Sequence, residues 1–152
     1  PAGKNIAMFI EPAIQNFFSI NIKNNNVRPT SEGYSNAWLA KLNDEEPQLV
    51  LNWSEEQEIR VLRIFFDCDF DNALPSVFVT HPVSEIPATV KEYSIYDGRN
   101  NLLYQKRDNY QAVNKVLFDK AILVKKLRIV FTRKNANIPV SVFKISAYSE
   151  NY

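Results

Sequence analysis

The 152 residues carry eighteen basic and seventeen acidic side chains, a formal charge of +1, with 45% hydrophobic and 23% charged residues. That balance is ordinary for a globular domain and too neutral to argue for nucleic acid, an anionic membrane or a polyanionic ligand. A single cysteine, Cys68, excludes an internal disulfide, and no run approaches the roughly 18 apolar residues of a membrane span.

One domain over residues 1–152 suits this length. The opening Pro1-Ala2-Gly3-Lys4 has neither a starting Met nor a secretory leader, and reads as a processed chain or one excised from a larger protein. Asn5 to Phe18 does not choose between helical and strand periods, and Lys23 to Ala40, rich in Asn and Ser, has no strand pattern. Leu49, Leu51 and Trp53 then alternate with Gln48, Val50 and Asn52, which predicts a strand, and Ser54-Glu55-Glu56 predicts an acidic turn. Glu58 to Cys68 becomes apolar on both faces in its second half, as a central strand covered on both sides would. Within it Cys68 reads as a buried, inert thiol. Asp69 to Ala88 is a loop punctuated by Pro75, Pro82 and Pro87, and it holds the only histidine, His81.

Val90 to Tyr96 and Leu102 to Gln105 are strands joined by the turn Asp97-Gly98-Arg99-Asn100, and Gln111 to Phe118 is a further strand. In Lys126 to Thr132, Leu127, Ile129 and Phe131 share one face. Past the polar break Arg133-Lys134-Asn135-Ala136-Asn137, Phe143, Ile145 and Ala147 do the same, with Lys144 and Ser146 opposite. These last two strands predict an antiparallel hairpin. Short strands with frequent turns and no internal repeat define an all-β fold, an antiparallel β-sandwich of jelly-roll type.

Catalytic patterns are missing. One His and one Cys exclude the multi-histidine and thiolate zinc sites, and there is no GxGxxG, GxxxxGK[ST] or GxSxG. Asp67, Asp69 and Asp71 fall on one side of an extended chain and could meet a calcium ion, but an EF-hand would need Gly and Glu where Asn72 and Phe78 stand. Long loops in compact domains tend to be functional. The candidate ligand contacts therefore come from loops: Arg28, Tyr34 and Trp38 from the first, His81 from the second, and Arg133 and Asn135 from the third. Trp38 is either a stacking platform for a sugar ring or a plug packing its loop onto the sandwich.

Asn36-Ala37-Trp38, Pro47 to Trp53, Ile59 to Phe66, Val124 to Phe131 and Val142 to Tyr148, in that order and spacing, resemble the discoidin-like, galactose-binding-like domain also called F5/8 type C. Asn26-Val27-Arg28-Pro29, Phe66 to Asn72 and Asp108-Asn109-Tyr110-Gln111 are also similar to the domain appended to the C-terminus of certain bacterial FAD-dependent oxidoreductases. The resemblance implies an accessory module without catalysis of its own, acting outside the cytoplasm, with carbohydrate or the parent enzyme's catalytic domain as partner. Sugar-binding members often carry an Asp-Gly loop beside a calcium ion and a Glu near the end. This chain has Asn24-Asn25-Asn26 and Lys144 there. Two functions stand open: a carbohydrate- or ligand-binding module using loops at one end, or a docking module packed on a flavin-dependent enzyme. An independent enzyme ranks last, because nothing nominates an acid, a base or a nucleophile.

Overall fold

β-branched and aromatic residues alternating with polar ones build half-buried strands. The computed structural model describes residues 18–27, 36–68, 88–133 and 137–150. In them the strands are β1 (Trp38–Leu39), β2 (Gln48–Phe66), β3 (Glu92–Asp97), β4 (Leu102–Lys106), β5 (Val113–Thr132) and β6 (Ser141–Tyr148), with a 3-10 turn at Ser19–Lys23. All pairings are antiparallel, in the order β1-β6-β2-β5-β3-β4.

The organising feature is the β2–β5 ribbon. It carries two offset irregularities: residues 53–56 of β2 lie opposite residue 125, and residues 118–121 of β5 lie opposite residue 60. Bulges of this kind bend a ribbon and raise its twist. The ribbon turns a corner there, and its halves enter two facing layers. One layer holds β1, β6, the second half of β2 and the first half of β5. The other holds the first half of β2, the second half of β5, β3 and β4. Aromatic rings cross between them: Phe66 lies 5.7 Å from Tyr93 and 6.1 Å from Phe131, and Trp38 lies 5.8 Å from Phe131. Leu62, Ile64 and Val116 of one layer and Ile95, Leu127 and Ile129 of the other are wholly buried. The all-β sandwich and the inward face of Leu127, Ile129 and Phe131 are as expected. So are the β3–β4 hairpin and the buried Cys68.

Five expectations are corrected. Ser54-Glu55-Glu56 does not turn the chain back; these exposed residues form the bulge of one continuous strand. Gln111 to Phe118 and Lys126 to Thr132 are likewise parts of one strand, β5. β5 and β6 do not form a hairpin. The second half of β5 already has β2 on one side and β3 on the other, so β6 pairs with β2 and β1 instead. On β6 itself a register shift opposite Phe65 and Phe66 breaks the simple alternation, so adjacent Val142 and Phe143 are both buried while Ala147 is exposed. Finally, Trp38–Leu39 adds a short edge strand inside a stretch expected to be loop.

Candidate functional site

Several loop systems leave the sandwich at the end where β2 finishes. The ring contacts of Phe66 put that exit beside the start of β3 and the end of β5. Ladder partners Phe66↔Val142 and Phe65↔Val113 add the starts of β6 and β5, and Trp38↔Val142 adds β1. Backbone bonds seal the rim: Phe66 N–H to the Ala112 carbonyl at 2.8 Å, Asp67 N–H to Ser141 at 3.2 Å, Phe131 N–H to Pro47 at 2.9 Å. This end therefore holds the described residues from which loops depart: Val27, Ala40, Cys68, Lys106 and Arg133. Val27, Cys68 and Arg133 border the stretches that lack strand periodicity in the sequence.

The described candidates occupy this rim differently. Trp38 is half-buried, its ring tilted 41° against Phe131. Its other side lines an open groove of about 710 Å³ between the layers, shared with Trp53, Leu49, Leu51, Ile145 and Ile22. Arg133, also half-buried, donates from its guanidinium to the Leu42 carbonyl and borders a cleft of about 440 Å³ with Glu45 and Glu46. The Asp67 carboxylate accepts the Ser141 hydroxyl at 3.1 Å. Arg28, Tyr34, His81, Asn135, Asp69 and Asp71 lie outside the described residues.

The asparagine loop is held by its own amides. Asn24 Nδ2 donates to the Asn36 carbonyl at 3.2 Å, Asn36 Nδ2 to the Asn26 carbonyl at 3.1 Å, and Asn26 N–H to Asn24 Oδ1 at 2.8 Å. From β6, the Lys144 ammonium donates to Asn25 Oδ1 at 3.1 Å. Asn36 Oδ1 is buried without a partner among the described residues. Calcium takes six to eight oxygen ligands, carboxylates prominent among them. Here the loop presents neutral amides and a lysine cation, and among the described residues no group of three His, Cys, Asp or Glu side chains converges. These residues do not fit a calcium ion.

One part of the rim is not among the candidate contacts drawn from the sequence. Asn109 is buried and bolts the β4–β5 loop to the chain entering β3. Its N–H donates to the Lys91 carbonyl at 2.7 Å, and its Nδ2 to the Val90 carbonyl at 2.8 Å and the Gln111 carbonyl at 3.1 Å. Its Oδ1 accepts from Gln111 N–H and Asn114 Nδ2. Asn114 Oδ1 in turn accepts the Tyr93 hydroxyl at 3.1 Å. Burial, and then neighbouring Tyr104, hold the Tyr93 hydroxyl above its ordinary range, so it stays a neutral donor. Between these anchors Tyr110 stands 70% exposed. In the sequence Asp108-Asn109-Tyr110-Gln111 stands out as a resemblance motif and as an Asp-Asn pair common in turns, and neither marks Tyr110 as a contact.

Neither a family model nor a curated protein sequence matches the chain. Solved structures do match. A family 32 carbohydrate-binding module from Streptococcus pneumoniae EndoD superposes with a TM-score of 0.66 at 11% identity, over 89% of this chain and 87% of that one. A fucose-binding module of S. pneumoniae, SpX-3, gives 0.59 at 18% identity over 90% and 88%. Chitosan-binding module 2 of a chitosanase/glucanase from Paenibacillus sp. IK-5, in complex with chitotriose, gives 0.54 at 15% over 74% and 76%. The chain has the discoidin-like, galactose-binding-like fold. At these identities the likeness is one of architecture, and function must be argued from the site.

Proposed function

We propose that this domain is a non-catalytic carbohydrate-binding module whose ligand sits on the loop rim. The observation that carries the reading is that the described residues bordering the long non-periodic stretches, Cys68, Thr89 and Arg133 among them, lie at one end of a sandwich whose solved counterparts include a family 32 carbohydrate-binding module, a fucose-binding module and a chitosan-binding module. A rigid scaffold with variable loops at one end suits recognition. The rim supplies aromatic surface and polar side chains, the mix that small-ligand sites use. Among its described residues Cys68 is no activated nucleophile: burial pushes the thiol up, and the Thr89 hydroxyl donates to its sulfur at 3.4 Å. The rival, a module docked on a flavin-dependent oxidoreductase without reading sugar, gains no support from the comparisons.

The test is an amide NMR titration with methyl glycosides of fucose, galactose and N-acetylglucosamine, and with chitotriose. At least one sugar is expected to shift resonances flanking the rim, at Asp67, Thr89, Asn109 to Gln111 and Arg133, with the modest affinity that attachment to a multivalent parent would raise. Absence of shifts across the panel, or shifts confined to the opposite end at Asp97 to Asn101, would overturn the reading.

A further inference from the structure

We infer that Tyr110 is a preset stacking platform for the C–H face of a pyranose ring, an inference resting on the carbohydrate-binding reading. Single exposed apolar residues are common and need no explanation, so exposure alone does not make the case. What sets Tyr110 apart is the contrast between its ring and its backbone.

The ring is 70% exposed, more than any other large hydrophobic side chain among the described residues, and it has no ring or hydrogen-bond partner among them. The backbone on either side is fixed. Asp108 takes φ 50°, a left-handed turn conformation that aspartate tolerates better than most residues. Asn109 is buried, with its N–H and both amide atoms engaged. Ala112 is tied through its carbonyl to Phe66 N–H at 2.8 Å. A mobile loop with a solvent-facing tyrosine needs none of this. A recognition loop does, because ordering a loop on binding subtracts directly from affinity.

Chemistry and position agree. A tyrosine offers a flat apolar face at the cost of freezing only two torsions, plus a hydroxyl for the ligand's own. Its brace, Asn109, bonds to Val90 and Lys91, where the chain returns from the long loop carrying His81. Tyr110 thus sits beside the described residues that follow that loop rather than at the opposite end of the sandwich. Arg107 and Lys91 are exposed neighbours, suited to the hydroxyl edge of a ring whose C–H face lies on the tyrosine.

The experiment measures calorimetric affinity for whichever panel sugar binds the full chain best, in wild type, Tyr110→Phe and Tyr110→Ala, with a thermal melt of each. Tyr110→Ala is expected to weaken binding about tenfold and Tyr110→Phe by no more than about threefold, since the ring persists. Saturation-transfer signals on the sugar's C–H protons should fall in Tyr110→Ala only. Because the ring is exposed, all three melts should coincide. Wild-type binding that Tyr110→Ala leaves unchanged would overturn this inference while the carbohydrate-binding reading stands. A wild type that binds no panel sugar would overturn both.

Discussion

Replacing Asn109 by alanine tests the brace directly. The wild-type amide donates to the Val90 and Gln111 carbonyls and accepts from Gln111 N–H and Asn114 Nδ2. Gln111 is exposed, so water can replace its two lost partners. Val90 is 2% exposed and Asn114 4%, so the Val90 carbonyl and one Asn114 amide proton would be left without partners in the interior. At about 1–3 kcal/mol for each stranded group, partly relieved by water entering the vacated space, the loss comes to about 3 kcal/mol. For a domain of this size that lowers Tm by roughly 6–12 °C. Urea denaturation followed by the fluorescence of Trp38 and Trp53 gives the free energy by linear extrapolation. Gln111→Ala, which removes only an exposed side chain, serves as the control and should change stability by less than about 0.5 kcal/mol. A loss below about 1 kcal/mol for Asn109→Ala would refute the reasoning, because the network would then be exchanging freely with solvent.

Tyr93 should make stability fall at high pH. Its folded pKa is raised, so its contribution is complete below the unfolded value of about 10 and declines above it at about 1.4 kcal/mol per pH unit; Tyr93→Phe should remove that part of the slope in urea melts between pH 9 and 11. Calcium or EDTA should leave Tm within about 1 °C, since the asparagine loop offers neutral amides and the Lys144 cation in place of carboxylates; a rise of several degrees with calcium would contradict that fit. Lys144→Met should accelerate hydrogen exchange at the Asn26 amide, measured by NMR, while β2 amides keep their protection. Cys68, 3% exposed and with a raised pKa, should react with a disulfide reagent only as fast as the domain opens, so added urea should accelerate the reaction in step with unfolding.

The parts legible in the sequence are those decided by local burial. Leu127, Ile129 and Phe131 alternate because one face of β5 meets the core, and the Asp97 turn announces itself by its side chain. Its carboxylate accepts from Nδ2 and N–H of Asn101, which chiefly hold its pKa down, and from Arg99 N–H. Pairing is not local. Whether β6 finds β5 or β2 depends on which sheet edges are already filled, and no periodicity encodes that. The corner of the ribbon was equally hidden, since exposed Ser54-Glu55-Glu56 carries the same composition whether it reverses the chain or merely bends it. Of the candidates named from the sequence, Arg133 came from a loop without strand periodicity and Asp67 from the end of a predicted strand, and both lie where β2 finishes. Tyr110 could not be singled out, because its setting depends on Asn109 reaching Val90, nineteen residues back along the chain.

The bent ribbon also bears on how the domain can come apart. β2 and β5 each run through both layers, so neither layer owns its central strands, and melting one half of the ribbon strips the other layer of its middle. Opening should be global rather than sheet by sheet, with exchange of the most protected amides in both layers reporting one common free energy. Assembly inherits the same constraint: Gln48 must find Val130 and Arg63 must find Ser146 before either layer has a centre, so the search spans most of the chain and folding belongs to the slow, millisecond-to-second class of non-local β topologies.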